Sequence, residues 1–191
     1  KNLDEITGMI DKIIHYDSEK ENIQECHSAQ SHVSGKWRNE VVLIADDADN
    51  NAHFGSAQKI YSTLKNYPDY HTTKIYIDAY EQLSGAGGQT APAVKAEINA
   101  RMDRGALIFN YSGHGGELGL SHEGVISVPQ INAWDNIDNM PLMFTATCEF
   151  GRYDDPERTS AEKSVLHTNP RNGKQRTWPK PRSPQRKGGL D

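Results

Sequence analysis

The sequence predicts an α/β fold, with a mainly parallel β-sheet flanked by helices. Short apolar segments such as EVVLIADD (40–47) and ALIFN (106–110) are typical of strands buried on both faces. Segments whose apolar residues recur at helical spacing lie between them, which gives the order β-α-β-α-β-loop-α-β. Parallel neighbours need crossover connections, so this alternation favours a parallel sheet with helices on its faces.

The first predicted element is a packing helix over residues 3–16. Its apolar side chains share one helical face: Leu3, Ile6, Ile10, Ile13 and Ile14. Residues 17–36 are polar and show no period, so we expect a loop. The strand at 40–47 follows this loop.

Two helices and a strand are predicted in the middle of the chain. Apolar residues spaced by three and four predict a helix over 51–66, which Pro68 limits. KIYIDAY (74–80) predicts a strand, and the segment LSGAGGQTAP after it predicts a turn-rich loop. We expect Thr90 to cap the next helix, with Pro92 in its first turn. Three apolar residues spaced by four and a terminal glycine continue this helix: Val94, Ile98, Met102 and Gly105.

The last predicted elements are the strand ALIFN, a short amphipathic helix over 127–137 and the strand PLMFTAT (141–147). From about residue 164 the chain has four prolines, many cations and no apolar run, which predicts a disordered tail. We therefore divide the chain into a helical lead-in and polar loop (1–35), an α/β catalytic region (36–163) and a basic, proline-rich tail (164–191).

Composition limits the classes of function. The net charge is −5, but the last 21 residues hold seven of the 21 basic residues and one of the 26 acidic ones. The remaining residues carry 14 basic and 25 acidic side chains, so the body is acidic. We expect no transmembrane segment and, because Trp178 is the tail's sole aromatic residue, no nucleic-acid partner. Since the sequence begins at Lys1, we expect it to be part of a longer precursor.

His114 and Cys148 are the candidate catalytic residues, because each follows a predicted strand. If these two strands are neighbours, the carboxyl ends bring both side chains into one crevice. A cysteine becomes a nucleophile as the thiolate, and a nearby imidazole is its usual base. The alternatives for each residue alone are a small buried thiol and an ordinary turn histidine.

The glycines in NYSGHGGELG have a predicted role beside His114. Gly113, Gly115 and Gly116 would let the chain turn sharply and bring backbone N–H groups close to a substrate. We predict that the backbone N–H groups of Gly115 and Cys148 form an oxyanion hole.

Other motifs support weaker interpretations. ADDADNN (45–51) is either a polar strand-to-helix loop, a calcium site or the source of an acid that orients His114. The segment with Cys26, His27 and His32 matches no standard zinc spacing. The other histidines, including His53 and His122, are interpreted as surface or packing residues. No complete P-loop, dinucleotide fingerprint or Gly-x-Ser-x-Gly elbow is present.

Four segments together resemble a known family: WRNEVVLIADDADNNAHF, KIYIDAY, NYSGHGGELG and PLMFTATCEFGRYDDPERTSA. They are similar to the gingipain-type cysteine peptidases, and within these to the sorting (PorU-type) peptidases of the type IX secretion system, over about residues 3–163. The resemblance implies a caspase-like three-layer fold, incomplete at its C-terminal end, and a dyad of His114 and Cys148. It also implies polypeptide substrates with C-terminal secretion signals, other outer-membrane secretion components as partners and a cell-surface or extracellular location.

The resemblance implies no required cofactor and no catalytic metal, although related enzymes often hold structural calcium. The chain departs from the family after residue 161, where a glycine is missing and the basic tail replaces an expected strand. A second hypothesis follows from this departure: the chain is a truncated or frame-shifted remnant that is not catalytic and acts at most as a binding module.

Overall fold

The computed structural model describes residues 3–17 and 35–150. Four α-helices occur in this part of the chain: α1 (Leu3–Asp17), α2 (Ala48–Leu64), α3 (Pro92–Arg104) and α4 (Val128–Ala133); two short 3-10 helices span Lys36–Asn39 and Ile77–Ala79. Nine strands occur in it: β1 (Glu40–Ala45), β2 (His71–Tyr76), β3 (Leu83–Gly85), β4 (Gly88–Thr90), β5 (Ile108–Ser112), β6 (Gly115–Gly116), β7 (Gly119–Leu120), β8 (Ile126–Ser127) and β9 (Leu142–Ala146). The domain division, the segment around Cys26 and the predicted disordered tail are not tested, because they lie wholly or partly outside the described residues.

The main sheet has four parallel strands in the order β2-β1-β5-β9. Its strands are the four that the sequence predicts, with ends that differ by a few residues. KIYIDAY is the largest difference: the strand begins at His71, and Ile77–Ala79 form a short 3-10 helix. The predicted α/β class with a mainly parallel sheet flanked by helices is therefore confirmed.

The helices pack on both faces of this sheet, which gives three layers. On one face α3 buries Val94, Ile98 and Met102 in the core together with Phe109 and Tyr111 of β5. On the other face α2 buries Ala57, and its Gln58 side chain accepts a hydrogen bond from the Tyr76 hydroxyl at 3.0 Å. Gly105 ends α3 with φ +80°, a backbone conformation that favours glycine.

Two local predictions are wrong. Thr90 does not cap α3: it closes the β3–β4 hairpin, where its hydroxyl donates to the carbonyl oxygen of Leu83 at 3.3 Å. Helix α1 forms as predicted, but its apolar face is not a packing face, since Leu3 is 77% exposed and Ile13 is 67% exposed. The helix contacts the body near its C-terminus, where His15 Nε2 lies 2.8 Å from Asp138 Oδ1. Helical period identifies an apolar face but does not identify what covers it.

The edge strand β9 is covered on one face only. Its Met143 side chain packs against the core, whereas the alternating residues Leu142 and Phe144 are 58% and 51% exposed. Among the described strands, none pairs with the outer edge of β9. No helix in the described ranges is long and apolar enough to cross a membrane.

The two faces of the β5–β9 pair should differ sharply in their contribution to stability. Phe109 is fully buried, so Phe109→Ala should lower the free energy of unfolding by about 3–5 kcal/mol through lost transfer energy and an unfilled cavity. Phe144→Ala on the neighbouring strand is the matched control, and its half-exposed ring should cost less than about 1 kcal/mol. Urea denaturation measures both variants, and equal losses would contradict this assignment of the core.

Candidate active site

The strand order places the carboxyl ends of β1 and β5 at a topological switch point. The chain leaves β1 toward β2 on one side, while β5 and then β9 continue on the other side. Ligand sites in open parallel sheets form beyond the carboxyl ends of such strands, because the connections diverge there and leave a crevice. In this protein the crevice receives Asp46 after β1 and His114 after β5.

Asp46 holds both the backbone and the ring of His114. Its side chain is 1% exposed, and its Oδ2 accepts a hydrogen bond from the His114 N–H at 2.8 Å. The same oxygen lies 3.2 Å from His114 Nδ1. The Ala48 N–H donates to the other carboxylate oxygen at 3.2 Å, which fixes the carboxylate in turn. This arrangement restricts the orientation of the imidazole and places its Nδ1 beside a negative charge.

Tyr111 supports the same turn from the core side. Its hydroxyl donates to the His114 carbonyl oxygen at 2.6 Å and lies 3.3 Å from Asp46 Oδ2. Burial raises the pKa of Tyr111 well above its ordinary value, and the charge of Asp46 adds to this effect. The phenol therefore stays protonated and can keep donating.

The pKa of Asp46 is lowered although the group is buried. Burial alone would raise the pKa, but the N–H groups of His114 and Ala48 donate to the carboxylate, and the His114 ring stabilises its charge. The net result is a carboxyl whose pKa lies below its ordinary value, so Asp46 is ionised at neutral pH.

The second ring nitrogen of His114 faces a different carboxylate. His114 Nε2 lies 3.2 Å from Oδ2 of Asp49, a residue at the start of α2 whose backbone is left-handed (φ +56°). The His53 ring stands perpendicular to the His114 ring at 5.0 Å between centroids, and the His122 ring stacks on it at 5.2 Å. His114 therefore lies among two acids and two further imidazoles.

Cys148 follows the neighbouring strand at the level of His114. Ser112 pairs with Ala146, and each candidate catalytic residue comes two positions after its member of this pair. The Gly113 N–H donates to the Ala146 carbonyl at 3.2 Å, so the sheet contact continues past the strand ends. Since side chains alternate between faces with a period of two, this register would direct both residues to one face.

The backbone turns sharply at Cys148. Its carbonyl oxygen accepts a hydrogen bond from the Phe150 N–H at 2.7 Å, and the residue between them, Glu149, has φ +53°. The thiol is free and exposed. Among the described residues no hydrogen bond joins this thiol to the His114 ring, so direct contact within the dyad stays a prediction.

The glycines around His114 allow close packing. A Cβ on Gly113 would lie 2.3 Å from the Cβ of Asp46 and 2.4 Å from the Tyr111 hydroxyl. A Cβ on Gly115 would lie 2.4 Å from the Thr147 hydroxyl. Neither residue has a positive φ, so these two glycines bring the histidine turn against β1 and β9 by lacking a side chain.

Gly113→Ala should therefore be strongly unfavourable, whereas Gly116→Ala should not. The Gly113 variant must displace Asp46 and Tyr111, with an expected loss of about 1–3 kcal/mol in the free energy of unfolding. A Cβ on Gly116 meets nothing within 4 Å, so this control should change stability by less than about 0.5 kcal/mol. Thermal melts of the two variants measure the difference, and similar melting temperatures would refute the packing argument.

Residues that follow β5 also form an open cleft beside His114. Three short strands build its wall: the β6–β7 hairpin and β8, which pairs with β7. The cleft has a volume of about 680 Å³ and is lined by His114, the hairpin residues 115–119, His122 and Glu149. The sequence predicted a loop here, because two-residue strands rich in glycine carry no apolar period.

The structure brings several residues to this site that the sequence interpretation missed. Tyr111 was given no role at the site, and His53 and His122 were interpreted as surface or packing residues. Asp46 was one of several possibilities for the loop after β1. The strand order was the missing information, since only the adjacency of β1 and β5 makes an acid after one strand a partner for a histidine after the other.

A second group of carboxylates lies on the buried side of Asp46. Carboxylate oxygens of Asp46, Asp47 and Glu123 lie within 4.8 Å of one another. Glu123 is buried, and its Oε2 has no hydrogen-bond partner. Calcium prefers oxygen ligands, so these three residues fit a structural calcium of the kind that related enzymes often hold.

The fold and the strand-end residues define a class: a three-layer α/β protein with a histidine and a cysteine at adjacent carboxyl ends. The model of peptidase family C25 matches residues 1–181. The chain belongs to peptidase family C25. This confirms the resemblance to the gingipain-type cysteine peptidases, whereas the closer similarity to the sorting peptidases stays a prediction.

Solved structures with the same fold agree. The chain is similar to the Arg-specific cysteine proteinase gingipain R (RgpB), with a TM-score of 0.59 and 19% identity over 84% of this chain and 33% of that one. The complex of the Porphyromonas gingivalis RgpB pro- and mature domains gives the same values. The chain thus spans about a third of the length of these proteins. No match is found among curated proteins.

Proposed function

We propose that this chain carries the catalytic region of a cysteine peptidase in which Cys148 is the nucleophile and His114 is its base. The observation that carries the proposal is the β5–β9 register. In this register Ser112 pairs with Ala146, and the two candidate catalytic residues each come two positions later. Membership of a peptidase family supports it. The exposure of the Cys148 thiol leaves it accessible to a polypeptide.

The reaction would proceed through a thioester. The Cys148 sulfur forms a bond to the carbonyl carbon of the peptide while its proton passes to His114. The C–N bond then breaks, and the leaving amine takes that proton from the imidazolium. Water then attacks the thioester carbonyl carbon and gives a proton to His114; the C–S bond breaks, which releases the new carboxyl terminus, and this proton passes from the imidazolium to the sulfur. An amine in place of water would give a transpeptidation product.

Two backbone N–H groups would stabilise the oxyanion of this pathway, those of Gly115 and Cys148. The Ser121 N–H donates to the His114 carbonyl at 2.8 Å, and this bond flanks the Gly115–Leu120 pair. Gly115 and Leu120 therefore form a non-hydrogen-bonded pair. In an antiparallel ladder the N–H of a residue in such a pair points away from the partner strand. In the described part of the chain this N–H is therefore available to a substrate oxygen.

Asp46 would orient His114 during the reaction. Its contact with Nδ1 favours the tautomer that protonates this nitrogen and leaves the lone pair on Nε2. The ionised carboxylate also stabilises the imidazolium that forms when the thiol loses its proton.

The finer assignment is that of a type IX secretion sorting peptidase. We infer from the resemblance that its substrates are cargo proteins with C-terminal signals and that its partners are other outer-membrane secretion components. The same reasoning gives a location at the cell surface or outside the cell. A structural calcium at Asp46, Asp47 and Glu123 would add positive charge beside the acid that orients His114.

A thiol-reactive peptide probe tests the proposed function. Activation by His114 is local, so the probe should label Cys148 and leave Cys26 unmodified. Mass spectrometry of the labelled protein identifies the site, and Cys26→Ser should label like the unchanged chain. Equal labelling of both cysteines, or labelling that survives in Cys148→Ala, would refute the catalytic assignment.

Two observations favour a second candidate function, a non-catalytic binding module. Both nitrogens of the His114 ring lie 3.2 Å from carboxylates, and the apolar face of β9 is uncovered. A remnant of this kind would show slow labelling of Cys148, at the rate of an ordinary exposed thiol such as free glutathione. A labelling rate well above that reference would exclude it.

A further inference from the structure

Three ligating side chains meet on the exposed side of His114. Carboxylate and imidazole atoms of Asp49, His53 and His114 all lie within 4.8 Å of one another. Asp49 is exposed, and the two histidines are partly exposed. The group is distinct from the carboxylate group formed by Asp46, Asp47 and Glu123.

Two of the three separations between the ligand atoms agree with a tetrahedral metal site. Asp49 Oδ2 lies 3.2 Å from His114 Nε2 and 3.6 Å from His53 Nε2. Two ligand atoms at about 2.0–2.1 Å from a tetrahedral zinc ion lie roughly 3.3 Å apart. The observed separations fall on either side of this value, so small side-chain movements would suffice to bind the ion.

His53 provides independent support. Its Nε2 atom is buried and has no hydrogen-bond partner. A polar nitrogen in this state carries an uncompensated desolvation cost, and a bound cation would remove it. The atom lies 3.6 Å from Asp49 Oδ2, which is beyond hydrogen-bond distance.

Asp46 contacts the other ring nitrogen of His114. Histidines that bind zinc usually direct their other ring nitrogen at a carboxylate, which fixes the tautomer and raises ligand basicity. Asp46 Oδ2 lies 3.2 Å from His114 Nδ1, so His114 Nε2 is the nitrogen left to bind a metal. The series Asp46, His114 and metal therefore matches a carboxylate–histidine–zinc unit.

We propose that Asp49, His53 and His114 form a binding site for a zinc ion. Two imidazoles and one carboxylate suit a borderline metal such as Zn²⁺ and not calcium, which prefers oxygen ligands. Asp49 is exposed and both histidines are partly exposed, so an ion can reach the site from solvent.

Resting on the proposed peptidase function, the site is also a regulatory device. The lone pair on His114 Nε2 can bind a zinc ion or accept the thiol proton, but it cannot do both. Zinc binding and thiol activation therefore exclude each other.

A competitive chelator titration with Zn²⁺ on the full chain tests the site without using peptidase activity. One ion should bind per chain, and Cys148→Ala should bind it equally well, which separates this test from the catalytic proposal. Removing an outer-shell partner typically costs 10–100-fold in metal affinity, so loss of a direct ligand in His53→Gln should weaken binding by at least about 100-fold. Asp49→Asn is the second ligand variant. Because the Asp49 side chain is exposed, this change should not disturb folding, and it tests the site even if His53→Gln folds poorly.

His122→Gln is the matched control, because its ring stacks on His114 but is not among the three clustered ligands. It should bind zinc like the unchanged chain. Unchanged affinity in both His53→Gln and Asp49→Asn would overturn the proposal. Loss of binding in Cys26→Ser would also overturn it, by assigning the ion to the segment with Cys26, His27 and His32.

A second measurement tests regulation. Saturating Zn²⁺ should slow labelling of Cys148 by the peptide probe at least tenfold, and a chelator should restore the rate. In Asp49→Asn the same zinc concentration should have little effect. Equal inhibition of the two proteins would assign the effect to direct binding of zinc by the thiol and overturn the regulatory role.

Discussion

His114→Ala should reduce the rate of Cys148 labelling by roughly 10²- to 10⁴-fold, the range that a positioned general base contributes. The physical reason is that the thiol, not the thiolate, dominates for a free cysteine at neutral pH. Removing the imidazole removes the local proton acceptor and leaves Cys148 as an ordinary exposed thiol. Rates with the peptide probe and with a small alkylating agent, compared at one pH, measure the effect.

His71→Ala is the control for this prediction. His71 begins β2 at the amino end of the sheet, opposite the strand ends that carry the candidate dyad, and it is exposed. Its replacement should leave the labelling rate unchanged within a factor of about two. If His114→Ala also labels at the unchanged rate while folded by circular dichroism, Cys148 does not depend on this histidine and the dyad is not functional.

Asp46→Asn should lower the labelling rate by about 10²-fold or more and also destabilise the fold. The amide of asparagine would place an N–H₂ or a weaker acceptor against His114 Nδ1, which disfavours the required tautomer. The charge-assisted hydrogen bond from the His114 N–H would become a neutral one, with a cost of about 1–2 kcal/mol. Asp69→Asn is the matched control, because Asp69 is exposed and lies just before β2, at the opposite end of the sheet from His114.

The lowered pKa of Asp46 gives this prediction a pH signature. A carboxyl whose pKa is lower in the folded state contributes stability above its unfolded pKa, near 3.9, and this stability is lost as the pH falls through the folded pKa. The unchanged chain should therefore lose stability steadily as the pH falls below about 4–5. Asp46→Asn should show a shallower loss over the same interval in urea melts at several pH values, and parallel curves would contradict the proposed contacts.

The sequence by itself indicated the four strands of the main sheet. EVVLIADD is short and apolar because β1 is buried on both faces, and PLMFTAT shows the same pattern although β9 is covered on one face only. The core face of α3 was also predictable, because Val94, Ile98 and Met102 recur at helical spacing and Gly105 ends the helix. His114 and Cys148 were identifiable because the chain places each after such a strand.

Local patterns failed where a contact outside the pattern decides the outcome. Thr90 has the composition of a helix cap but is used by a hairpin, since pairing with Leu83, seven residues earlier, competes for the same residue. The apolar face of α1 was predicted to pack, and it is exposed in the described structure. A helical period shows that a face is apolar, but it carries no information about what packs against that face.

What the sequence determined is therefore the set of elements and the chemistry at their ends. Only the tertiary structure decided which ends meet. Placing β1 beside β5 brings Asp46 to one nitrogen of His114 and Asp49 to the other, although these residues lie more than 60 positions apart. The physical reason is that hydrogen-bonded strand order, which local sequence does not encode, sets which carboxyl ends share a crevice.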